Sequence, residues 1–204
     1  MIKQNLHTHS LYCDGKNKIE DIVIEAIEKG FDILGIPGHG YNRPIDDYSM
    51  TLENTELYYS DVKYVKEKYK DKIKIYLGIE EDSCGRYFKD KDFIDYVIGS
   101  VHFINVNGKF EEVDLSKEVT DNIIKNGFNG SFIEYAKAYY NEVKKVSKWS
   151  EVDIVGHIDL LMKFNENEEY ISFDNAEYLN IAYGCINEII YNNKIIEVNT
   201  GAIS

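Results

Sequence analysis

The sequence predicts an α/β protein whose strands run parallel and, joined by right-handed crossovers, close toward a barrel. Two observations carry that reading. Short apolar runs alternate with segments of helical period along the whole chain, with no Pro- or Ser-rich linker, internal repeat or low-complexity tract between them. Each of the five histidines stands directly after an apolar run, at the strand ends where such folds place their chemistry. At 204 residues and 44% hydrophobic content the chain can build one substantial core but not two, so residues 1–204 read as a single domain.

In order, residues 2 to 7 read as a short strand. Ile19, Ile22, Val23, Ala26 and Ile27 fall at helical spacing before Gly30, which ends a helix over 19–29. Phe31 to Pro37 is a buried strand, and Leu52 to Tyr69 a helix carrying Leu57, Val62 and Val65. Ile73, Ile75 and Leu77 alternate in a strand over 72–79, and Asp95 to Val101 is another. Phe132 to Trp149 is a long helix and Val152 to Val155 a short strand. Asp174 to Asn192 is a helix with an Asp N-cap, and Ile195 to Val198 the last strand.

Charge narrows the function classes. Lys and Arg number 23 against 36 Asp and Glu, a formal charge of -13, so the average surface repels nucleic-acid backbones. An acidic protein that handles small phosphorylated molecules must bring local positive charge, and bound divalent cations supply it. Cys13, Cys84 and Cys185 lack Cys-x-x-Cys spacing and read as reduced thiols. With no apolar leader core at the N-terminus and no stretch approaching a membrane span, the expected location is cytoplasmic, without a membrane partner.

His7-Thr8-His9 places two imidazoles at i and i+2, which on an extended backbone project to one side and can chelate one cation. A bare pair arises by chance; what raises its weight is that Gly38-His39-Gly40, Ser100-Val101-His102 and Gly156-His157 occupy the same kind of position. Glu80, after Gly78-Ile79, lies where a carboxylate could bridge two cations, and Asp14 lies just beyond the histidine pair. Glu81 and Asp82 read as solvated loop acids. Mixed imidazole and carboxylate ligation without thiolates suits Zn, Mn or Fe.

These residues resemble the polymerase and histidinol phosphatase (PHP) domain family, and most closely its histidinol-phosphatase-like branch. Leu6-His7-Thr8-His9-Ser10 with Tyr12-Cys13-Asp14-Gly15 is similar to that branch's opening motif, and Gly35-Ile36-Pro37-Gly38-His39 to its second. Gly78-Ile79-Glu80, Ile98-Gly99-Ser100-Val101-His102 and Val155-Gly156-His157-Ile158-Asp159 match the next three in order.

The resemblance implies a distorted (β/α)7 TIM-like barrel with two to three divalent metal ions at its strand ends, cleaving a small phosphorylated substrate such as L-histidinol phosphate. It implies that His7 and His9 hold a first metal, that Glu80 bridges to a second held by His102 and His157, and that Asp14 and His39 serve a third. Relatives continue past Ile195 to Val198 into a further strand and an Asp-x-His motif, whereas this sequence ends at Ser204. The expectation is a barrel incomplete at the C-terminus, with first and third sites one ligand short and an open edge that is solvated, paired with a second copy as a homodimer, or otherwise covered. A nucleotide or phosphotyrosine is the alternative substrate, and a metal-binding domain of impaired catalysis the alternative of another class. Asp159 is expected either to orient a metal-bound histidine or to cap the following segment. Arg43, Arg86 and Lys163 follow strand ends and could grip phosphate or stand as ordinary surface cations.

Overall fold

The computed structural model describes residues 2–42, 45–85 and 93–199. The chain folds as two compact units, one running to Glu81 and taking up Gly85–Ile98, the other made of Asp82–Cys84 and the chain from Gly99 onward.

In the first unit, strands β1 (Gln4–Asn5), β2 (Ile33–His39), β3 (Lys74–Asp82) and β4 (Tyr96–Ser100), whose last two residues fall in the second unit, follow one another in sheet order. β1 with β2 and β2 with β3 are parallel, and the register sets His39 beside Glu80. β1 pairs only as far as Leu34, so Pro37, which has no N–H to give, lies where β2 needs it least. Helices α1 (Ile19–Glu28) and α2 (Leu52–Lys68) cover the sheet. α1 buries Ile19, Val23 and Ala26; α2 buries Tyr58, Val62 and Val65, at the three- and four-residue steps of one helical face. They meet Leu34, Ile36, Ile75, Leu77 and Ile79 in one core, where each buried valine contributes about 1.5–3 kcal/mol. Thr51 caps α2, its hydroxyl accepting from the Asn54 N–H at 3.1 Å.

Both of these long strands reach further than the apolar pattern predicts. β2 ends on His39 rather than Pro37, and β3 continues through Glu80, Glu81 and Asp82. Their last residues are polar and nonetheless buried, which hydrophobic periodicity does not register.

The second unit opens with a hairpin absent from the sequence-based expectation: β5 (Phe103–Val106) pairs antiparallel with β6 (Lys109–Glu112). Its two-residue turn, Asn107-Gly108, has φ of 53° and 89°, the left-handed pair that an Asn-Gly hairpin turn requires. α3 (Lys117–Asn122) runs into a π-helical turn at Ile123–Gly127. α4 (Phe132–Ser147) buries Tyr135, Tyr139, Tyr140, Val143 and Val146 and packs on α5 (Ala176–Tyr191). The N-cap of α5 is Asn175, whose side chain accepts from the Tyr178 N–H, rather than the expected Asp174. β7 (Ile154–Val155) and β8 (Ile195–Ile196) form a short parallel pair. Among the described residues no helix is long and apolar enough to cross a membrane.

Candidate metal centre

In the first unit the position of His7 is set from below. The Tyr96 hydroxyl donates to the Leu6 carbonyl at 2.6 Å, one residue before His7. Its ring fills the space left by two glycines of the sheet: a Cβ on Gly35 would lie 2.2 Å from the phenol oxygen, and one on Gly78 would lie 2.4 Å from Cζ. Glycine is required at both by close approach, not by backbone angle.

Three imidazoles then converge on one carboxylate oxygen. His7 Nε2 lies 3.0 Å, His9 Nε2 3.2 Å and His39 Nδ1 3.2 Å from Glu80 Oε2. Glu80 itself is 1% exposed. The rings of His9 and His39 stack with centroids 4.3 Å apart, and their other nitrogens turn to Asp14 Oδ1 at 3.7 and 3.6 Å. Burial alone would push His9 toward the neutral form, but Cys13 and Glu80 outweigh it and carry its pKa up to about 11. Burial would likewise raise Asp14; His39 and His9 prevail and hold it well below the usual carboxylate range.

This donor set fits a divalent cation. The ligand atoms of His7, His9 and Glu80 lie within 4.8 Å of one another, as do those of His9, Cys13 and Asp14. Imidazole nitrogen with carboxylate oxygen is the donor mix of Zn, Mn and Fe. A dication among them also balances a buried carboxylate charge that imidazolium would otherwise have to offset.

The second unit carries His102 and His157, whose rings meet edge to face at 4.8 Å. Asp82 accepts from the His102 backbone N–H at 2.9 Å and lies 2.8 Å from its Nδ1. Its other oxygen accepts from the Cys84 N–H and Sγ, both at 3.0 Å. Burial would raise the Asp82 pKa, yet His102 and Cys84 prevail and lower it; an ionised carboxylate beside Nδ1 favours the tautomer in which Nε2 could take a metal. Glu197, just past β8, accepts from the His157 N–H at 2.7 Å.

Glu81 and Asp82, expected as solvated acids, are 1% and 8% exposed. The reason lies in strand geometry: β3 carries both into the sheet, and Asp82, two residues after Glu80, shares its face. Period-two counting from Glu80 was the signal for Asp82, and the strand-end rule that found the histidines was the signal for Glu197. Asp159 is exposed and its side chain makes no cap hydrogen bond, while Asp82 lies against the His102 ring and Glu197 accepts from the His157 backbone. Lys163 is held by Asp114, at 2.9 Å from its carbonyl and 3.1 Å from its carboxylate. Arg43 and Arg86 lie outside the described residues. Asp82→Asn is expected to weaken metal retention about 10- to 100-fold while leaving the fold intact; zinc titration against a chromophoric chelator, with circular dichroism alongside, measures both.

Histidinol-phosphatase of Bacillus subtilis is 23% identical over 222 residues, covering 100% of this chain and 82% of its own length. A solved Listeria monocytogenes structure assigned as a histidinol phosphatase superposes with a TM-score of 0.83 at 23% identity, over 98% of this chain and 83% of that one. The Lactococcus lactis histidinol phosphate phosphatase, solved with zinc, L-histidinol and phosphate, gives 0.70 at 22% identity, over 97% and 73%. These likenesses establish the α/β fold of that TIM-like group. The model of the PHP domain matches residues 5–201, which takes in every histidine and carboxylate described above, and the chain belongs to the PHP domain family.

Proposed function

We propose that this protein is a metal-dependent phosphomonoester hydrolase that converts L-histidinol phosphate and water to L-histidinol and phosphate. The observation that carries the reading is the convergence of His7, His9 and His39 on a single buried oxygen of Glu80. The names of the relatives point to the same substrate, and the zinc, L-histidinol and phosphate bound by the Lactococcus lactis protein point to the same chemistry.

In this reading His7, His9 and Glu80 hold one cation, Asp14 and His39 serve another, and His102 and His157 are the ligands carried by the second unit. Such cations, when bound, polarise phosphoryl oxygens and lower the pKa of water toward about 7, so that a nucleophile is available at neutral pH. The protein's part is to keep the donors from rearranging as charge develops on phosphorus. Tyr96 holds the segment before His7, Asp82 holds His102 in one tautomer, and Glu197 holds the backbone of His157.

Phosphate release from L-histidinol phosphate, nucleotide monophosphates and phosphotyrosine, each with added Mn, Zn or Fe, tests the proposal. Turnover is expected to be fastest on L-histidinol phosphate, to vanish on chelation and to return with metal. A faster rate on a nucleotide or phosphotyrosine would reassign the substrate. Metal binding with no turnover on any of them would favour a domain that binds cations without catalysis.

A further inference from the structure

Resting on the reading of His9 as a metal ligand, we propose that Cys13 is its positioning residue, setting the tautomer in which Nε2 is free to ligate. His9 presents Nε2 toward Glu80 at 3.2 Å and Nδ1 toward Cys13 Sγ at 3.6 Å. An imidazole that ligates through Nε2 must carry its proton on Nδ1, and that N–H needs an acceptor. Asp14 Oδ1 stands 3.7 Å away, too far for an N–H···O hydrogen bond, whereas 3.6 Å is within reach for the larger sulfur. Cys13 Sγ in turn donates to the Ser10 carbonyl at 3.7 Å. The result is a one-directional chain, with His9 Nδ1–H donating to Cys13 and Cys13 donating to Ser10.

The loop is built to hold that chain. The Ser10 carbonyl also accepts from the Cys13 and Gly15 backbone N–H groups at 3.1 and 3.0 Å, so the sulfur's acceptor is fixed by the turn that carries the sulfur. Asp82 performs the same task for His102 with a carboxylate. The two imidazoles are therefore oriented by different chemistry, a thiol for one and a carboxylate for the other. Although Cys13 stands within 4.8 Å of the donors of His9 and Asp14, in this proposal the thiol supports His9 and is not itself a ligand.

Cobalt(II) titration of the metal-free protein against a competing chelator tests this with Cys13→Ala and Cys13→Ser. The alanine variant removes the acceptor and is expected to bind about 10- to 100-fold more weakly. The serine variant keeps a group that both accepts and donates, and is expected to stay close to wild type. Melting of the metal-free proteins monitors folding, and the Ala and Ser variants are compared at matched stability. Equal affinity in all three proteins overturns the proposal, as does equal weakness in Ala and Ser. Intense sulfur-to-cobalt charge-transfer absorption in the wild type also overturns it, since the sulfur would then be a ligand. Wild-type protein that takes up no cobalt overturns the metal reading of the site and the positioning role with it.

Discussion

Replacing Glu80 by glutamine is expected to remove the cation held with His7 and His9, and to lower phosphate release by about 1,000-fold, the equivalent of roughly 4 kcal/mol of lost metal-derived transition-state stabilisation. The side chain keeps its size, so packing changes little; what changes is charge. All three imidazoles of the first unit approach Glu80 Oε2 to 3.0–3.2 Å. An amide in its place offers a weaker, neutral oxygen to the cation and, with its NH₂ turned inward, a donor that competes with the imidazoles' own N–H groups. Elemental analysis of the purified variant, beside the rate measurement, checks the proposed cause. Full metal content together with a wild-type rate would show that Glu80 is not a ligand.

The second large effect is expected at a residue with no functional side chain. Gly15 closes the turn that follows His9, its N–H donating to the Ser10 carbonyl at 3.0 Å. A Cβ added there would lie 2.3 Å from the His9 carbonyl carbon and 2.4 Å from both the His9 oxygen and the Ser10 nitrogen. These are backbone atoms on the same short loop, so no rotamer change relieves the overlap and the loop itself must open. Gly15→Ala is therefore expected to cost about 1–3 kcal/mol of stability, as other forced overpacking does. The larger consequence falls on the site, because the opening moves His9 and Asp14; a displacement of about 1 Å lowers activity about 100-fold. Thermal unfolding and cobalt titration on the same preparation separate the two effects. Unchanged metal affinity in the alanine variant would mean that the turn does not set the position of His9.

Much of the site was legible because metal chemistry uses few residue types. His7, His9, His39, His102 and His157 each follow an apolar run, and in the fold each stands at the end of a strand or within four residues past it, where such folds place their chemistry. The core helices were legible for a similar reason: Val23 with Ala26 in α1, and Val62 with Val65 in α2, repeat at the period of a buried face, although Leu57, counted with them, is exposed and its neighbour Tyr58 is the buried residue. The hairpin of β5 and β6 was missed although Asn107-Gly108 announces it, since the flanking strands are four residues each and only Phe103 and Ile104 are buried. Asp82 was misread because an acid after an apolar strand looks solvated until a specific buried partner, His102, is in view.

The amino-acid order by itself determined the alternation of strands and helices and the inventory of imidazoles and carboxylates, because both are written in local periodicity and residue type. Which nitrogen of His9 faces Glu80 and which faces Cys13, and that Asp82 is buried against His102, was decided only by tertiary structure. The physical reason is that a tautomer and a buried charge are settled by partners distant in sequence: parallel strand register sets Glu80 beside His39, where His9 reaches the same oxygen, and the fold of the second unit brings Asp82 to His102.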